Sequence, residues 1–131
     1  MTDISVSKST YAVENLSWLL DEGGYEAESI TLDISTFTPG THYPNGFIPS
    51  GTVVGKITAT NLYGPYDDAA VDGRAVARGF TARYTKVPNP ANTAVDAGSA
   101  LRFAGVVKES KLPITIDAAG KVDLASWIRF V

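Results

Sequence analysis

Three carboxylates within six positions, Asp67, Asp68 and Asp72 in Tyr66-Asp-Asp-Ala-Ala-Val-Asp-Gly73, form the densest set of potential ligands in the body of the chain. Oxygen ligands at that density suit a hard cation. Their spacing departs from the Ca²⁺-loop pattern, however, and no bidentate Glu follows at the required distance. Asp-Gly is also the ordinary chemistry of a tight turn, so the segment reads as a turn and no metal is expected. His42 is the lone imidazole. A Ser-His-Asp arrangement would need a nucleophile and an orienting acid beside it. The chain has no Gly-x-Ser-x-Gly elbow, and Ser50 lies in a Pro-Ser-Gly turn. His42 therefore reads as a loop residue with a structural hydrogen bond. Gly51-Thr-Val-Val-Gly55-Lys56-Ile57 is one residue short of a phosphate-binding loop and has Ile57 in place of the required hydroxyl, so it reads as strand. Asn15-Leu16-Ser17 fits the glycosylation pattern, but residues 1–20 lack a secretory signal to give it meaning. No catalytic residue set can be assembled. The chain reads as a non-enzyme without cofactor or small-molecule substrate.

The composition narrows the field further. With 131 residues, no Cys, 44% hydrophobic and 19% charged residues, the chain can build one domain with its own packed core. The missing Cys excludes disulfides, Cys-ligated zinc, iron–sulfur clusters and thiol catalysis. No apolar run approaches the roughly 20 residues of a membrane span. The expectation is a soluble, unprocessed protein made in a reducing compartment. Charge is unevenly placed: residues 1–33 carry a net −6 and residues 34–131 a net +3. An acidic lead and singly scattered bases argue against nucleic acid as a partner.

The elements that must carry these residues are mostly strands. Ile30, Leu32 and Ile34 alternate with Thr31, Asp33 and Ser35, the period of a half-buried strand. Gly/Pro punctuation follows at Pro39-Gly40, Asn45-Gly46 and Pro49-Ser50-Gly51. Residues 52–58 predict a second strand, and Ala75 to Val87 a third with Phe80, Ala82 and Tyr84 on one face. Residues 88–99 read as a loop, and Leu101, Phe103, Gly105 and Val107 restart the alternation. Ile114 and Ile116 suggest a short strand, Ile128 and Phe130 another. Between them Asp117 caps the one credible helix, over Ala118 to Ala125. The expected fold is mainly β (mixed α+β): a small compact barrel or tulip-like domain over residues 30–131 with one short C-terminal helix. Residues 1–29 are polar and acidic apart from an apolar knot at Leu16, Trp18, Leu19 and Leu20. Two readings stand for them: an extended N-terminal arm, or a segment laid on the body with Trp18 filling a core gap.

Ile48-Pro-Ser-Gly-Thr-Val-Val-Gly-Lys-Ile-Thr58, then Tyr63-Gly-Pro-Tyr-Asp-Asp-Ala-Ala-Val-Asp-Gly-Arg74 and Ala77-Arg-Gly-Phe80, resemble the head decoration proteins of tailed bacteriophages. The opening Asp3-Ile-Ser-Val-Ser-Lys-Ser-Thr-Tyr11, the segment Thr41-His-Tyr-Pro-Asn-Gly-Phe47 and the ending Asp117 to Phe130 are similar to the branch found in phages of actinobacteria. The likeness covers nearly the whole chain, with small departures at Val54 and Trp127. It implies a structural virion protein of the outer capsid surface, made in the host cytoplasm. It implies a homotrimer at three-fold and quasi-three-fold positions that stabilises the shell, with an N-terminal arm adding a strand to the major capsid protein. Ile4 and Val6 alternate with polar neighbours as an added strand requires. With Tyr11, Val13, Leu16, Trp18, Leu19 and Leu20 they make up the expected capsid-binding set. The competing expectation is a small β domain of a tail or baseplate, or a carbohydrate-binding module using Tyr63, Tyr66 and Tyr84.

Overall fold

Val53 and Val54 are adjacent, both buried, and belong to two different hydrophobic clusters. A strand sends successive side chains to opposite faces, so burial of both means that this strand is covered on both sides. The structure, a computed structural model, describes residues 14–20 and 27–131. Its strands are β1 (Ala27–Leu32), β2 (Phe47–Ile48), β3 (Val53–Lys56), β4 (Tyr63–Pro65), β5 (Gly79–Thr81), β6 (Thr85–Lys86), β7 (Ala97–Arg102), β8 (Gly105–Val107) and β9 (Ile128–Phe130). Helix α1 is a single turn, Pro39–His42, and α2 spans Ala118–Leu124.

Five strands close on themselves in the order β1-β4-β3-β5-β7, with β7 returning to β1. All pairs are antiparallel except β1 with β4, which meet in parallel at Leu32 and Tyr63. The longest ladder joins β1 to β7, from Ala27 opposite Arg102 to Leu32 opposite Ala97. Inside the ring lie Ile30, Leu32, Val54, Tyr63 and Leu101, capped by Ile34, Phe37, Tyr43 and Ile48. Outside β3 and β5 a second cluster gathers Trp18, Val53, Ala77, Phe80, Val107, Ile116, Leu124 and Ile128. Helix α2 and the parallel pair β8–β9 cover that face. The mainly β domain with one short C-terminal helix is as the sequence leads one to expect.

Several boundaries differ from the sequence pattern, each for a physical reason. Ile34 continues the alternation in sequence but leaves β1, because Asp33 accepts a hydrogen bond from Ser35 N–H (3.2 Å) and starts a 3-10 turn over Ile34–Thr36. The single strand expected over Ala75 to Val87 is two, β5 and β6, and Phe80 and Thr81 are both buried rather than alternating. Thr81 is tolerated inside because its hydroxyl donates to Pro49 O (2.8 Å) and accepts from Thr52 N–H (3.1 Å). β7 begins at Ala97, within the expected loop, and a break after Arg102 separates it from β8. Ile114 and Ile116 form no strand; Ile116 is buried against α2 without a ladder partner. Asp117 does cap α2, accepting from Gly120 N–H (2.8 Å). Gly120 sits in the helix because a side chain there would press on Ile116 and Tyr66.

Candidate functional site

Residues 14–20 do not stand off from the body. Trp18 is 1% exposed and packs its ring on Phe80, centroids 5.5 Å apart. Its indole Nε1–H donates to Ser50 Oγ (3.0 Å), and that hydroxyl donates onward to Ala82 O (3.1 Å). The ring lies directly over Gly51, whose φ of +89° and 2.9 Å clearance exclude any side chain. The backbone on either side is pinned as well. Lys108 N–H donates to Trp18 O (2.7 Å), Leu20 N–H donates to Val106 O (3.0 Å), and Leu19 bridges Val107 in antiparallel fashion. Upstream, Glu14 Oε1 accepts from Tyr84 N–H (2.9 Å).

Of the two readings of the lead segment, residues 14–20 follow the second: they lie on the body beside β8, joined to it by the single Leu19–Val107 bridge and its flanking hydrogen bonds. Trp18 belongs to the chain's own second core and is not presented to a partner. The reason is that an indole with a buried hydroxyl to bond and an aromatic neighbour gains more inside than outside. Leu19 is half-buried, while Leu16 and Leu20 (52%) remain exposed. Ile4, Val6, Tyr11 and Val13 lie outside the described residues.

The residues weighed for chemistry take structural places. Asp72 pairs with Arg74 through both carboxylate oxygens (3.0 and 3.1 Å), and the guanidinium also donates to Pro65 O (3.2 Å). Those bonds hold the Asp72 carboxyl below its usual range. Asp67 accepts from Ala69 N–H (3.0 Å) as a turn residue. Among the described residues no three His, Asp or Glu side chains are grouped to hold a metal ion. His42 ends α1 and accepts from Thr38 N–H at Nδ1 (2.8 Å), which fixes it as the neutral ring. Burial, then the nearby Arg74 charge, lower its pKa. Ser50 is the buried hydroxyl beneath Trp18, with no imidazole as a partner.

The three tyrosines do not share a face. Tyr63 is inside the ring, Tyr84 stacks edge-on against Phe47 (5.6 Å), and Tyr66 donates its hydroxyl to Asp117 (2.7 Å). Burial foremost, and that bond next, push the Tyr66 phenol well above its usual range. A more open aromatic lies elsewhere. Trp127, singled out in the sequence only as an unusual residue, is 65% exposed where α2 runs into β9. The signal was present: Leu124 and Ile128 are the buried neighbours, and Trp127 falls between them on the outward side.

Comparison with models of known protein families finds none that matches the chain, and comparison with curated proteins finds no match.

Proposed function

We propose that the chain is a phage head decoration protein that trimerises on the outer capsid surface and stabilises the shell. The observation that carries this reading is the ordered likeness of residues 48–80 to that family, together with what those residues do in the fold. They build β3, β4, the turn between β4 and β5, and β5 itself. Their glycines are sites where a side chain has no room. A Cβ on Gly55 would meet the Arg74 backbone at 2.8 Å, and one on Gly73 would strike Lys56 O. A likeness concentrated on size-restricted positions is a likeness of fold, which supports carrying over the role.

The docked Trp18 alters the mechanism. Under this reading the coat contact is made upstream of Glu14, by Ile4, Val6, Tyr11 and Val13, and a load on that contact is passed into the second core through Trp18. Ordering a segment costs about 1–2 kcal/mol per residue in backbone entropy. Strand addition offsets this with main-chain hydrogen bonds, and alternate side chains set the register. Three arms on one trimer act together, raising avidity by roughly 10²–10⁴ over a single arm. The acidic lead favours a basic groove on the coat, so binding weakens as salt screens it.

The test is co-sedimentation with DNA-free shells. Full-length protein saturates them, and a chain lacking residues 2–13 stays folded but remains in the supernatant. Removing residues 2–20 is a poorer test, since it also deletes Trp18 from the core. Equal binding by the chain lacking residues 2–13 would refute the arm contact, and no binding by either would refute the capsid role.

A further inference from the structure

We infer that the cleft beside Trp127 binds a neutral saccharide. Trp127 lies at the junction of α2 and β9, its backbone fixed on both sides: its N–H donates to Leu124 O (3.0 Å) and its carbonyl accepts from Gly105 N–H (3.1 Å). Phe103 holds the indole in an edge-to-face contact, centroids 6.1 Å apart and planes at 79°. One such contact favours this tilt of the ring and leaves most of it open, in keeping with its 65% exposure. An indole held at one edge by a second ring and otherwise uncovered offers a flat platform to a ligand.

The platform borders a cleft of about 360 Å³, within the size range of small-molecule sites. Phe103 lines it, with the largely buried Tyr63 (8% exposed) of the ring interior, together with three charged side chains from separate elements: Glu28 from β1, Arg78 from the segment before β5, and Asp123 from α2. Asp123 is held in place because one carboxylate oxygen accepts from Ala77 N–H (3.0 Å). Its other oxygen, the Glu28 carboxylate and the Arg78 guanidinium make no hydrogen bond or ion pair among the described residues. The cleft thus offers an aromatic wall with uncommitted acceptors and donors around it.

A pyranose matches this arrangement. It has a face of C–H bonds that lies against an aromatic ring and a rim of hydroxyls that donate to carboxylates and accept from a guanidinium. Two acids against one base disfavour a phosphate or other anion. Protein interfaces deplete charge at their centres, whereas three charged groups converge here, so a second copy of the chain fits less well. This inference stands independently of the decoration reading.

The test uses the full chain and its two tryptophans, which act as reporter and control. A glycan array of neutral hexose and N-acetylhexosamine oligosaccharides supplies binders, which are then titrated while the two indole N–H signals are followed by NMR. The Trp127 signal moves and the Trp18 signal, buried against Ser50, stays in place. Trp127→Ala weakens binding at least about tenfold with unchanged thermal stability, and Trp127→Phe retains part of it. Absence of any array binder above the Trp127→Ala background would overturn the proposal, as would titration shifts at Trp18 alone. Self-association lost in Trp127→Ala, without a saccharide response, would assign the patch to a second copy instead.

Discussion

Trp18 and Ser50, 32 positions apart in sequence, meet at 3.0 Å between indole Nε1 and hydroxyl Oγ inside the second core. The hydroxyl is itself held by Ala82 O, so the indole finds a pre-oriented acceptor at the base of its pocket. Gly51, immediately after Ser50, provides the space above which the ring lies. A turn that reads in sequence as Pro-Ser-Gly punctuation is thus the receptor for the lead segment. The same contact seats residues 14–20 on their own globule.

Truncating this anchor costs stability. Trp18→Ala should lower the unfolding free energy by about 3–5 kcal/mol, the range for deleting a buried aromatic. Ser50→Ala leaves a buried indole N–H without an acceptor and costs about 1–3 kcal/mol. Urea melts of Trp18→Phe, Ser50→Ala and the Trp18→Phe, Ser50→Ala double variant separate the hydrogen bond from the packing. Additive effects would mean that the bond contributes nothing.

Two glycines should respond in opposite directions. Gly73 adopts φ +116°, and a methyl there would strike Lys56 O and the Thr58 hydroxyl. Gly73→Ala combines backbone strain with collision and should lower the melting temperature markedly. Gly98, in β7, has open space where its side chain would be. Gly98→Ala should hold or raise stability, by about 0.5–1 kcal/mol. Equal effects in thermal melts would contradict the packing described for the turn between β4 and β5.

What the sequence revealed followed from local pattern. Ile30 and Leu32 in β1, the β-branched run holding Val53 and Val54 in β3, and the Asp117-capped helix were legible because alternation, β-branching and capping are local signals. The break between β5 and β6 was not, because a polar Thr81 buried by two partners from residues 49–52 reads in sequence as a solvent-facing residue. Ile114 and Ile116 alternate like a strand yet have no neighbour to pair with, and pairing is a tertiary property. Residues 14–20 followed the same logic. Their composition suits an arm, and only the Ser50–Gly51 pocket, far away in sequence, makes Trp18 part of the globule. The carboxylates read correctly as turn residues, but nothing local could pair Tyr66 with Asp117 or bring Glu28, Arg78 and Asp123 to one cleft.

His42 gives a pH dependence near neutrality. Burial and the Arg74 charge lower its folded pKa below 6.5, so below that pH the unfolded chain binds more protons than the folded one. Stability therefore falls as pH drops from 6.5 toward the folded value, where the ring charges and ceases to accept from Thr38 N–H. Melting temperatures measured from about pH 8 to about pH 5, roughly the range in which His titrates, should decline on the acid side. His42→Gln should remove most of that slope.

At the two extremes the Tyr66–Asp117 pair governs. Gly120 N–H and then the Tyr66 hydroxyl hold the Asp117 carboxyl below its ordinary 3.8, so its contribution is complete above that pH and lost as pH falls through the folded value. Tyr66, raised above 10 by burial and by Asp117, contributes below that pH and loses its contribution as pH rises past it. Tyr66→Phe should move the Asp117 carboxyl back toward its usual range in an NMR titration. An unchanged titration would show that the bond is not formed in solution.

The decoration reading is tested most directly by where the chain sits in the particle. A density map of purified virions should place three copies around each three-fold and quasi-three-fold point on the outside of the head. Trp18 should be seated in its own globule and the residues before Glu14 laid against a coat strand. Density for the chain on the tail or baseplate, or a head surface without it, would contradict the account.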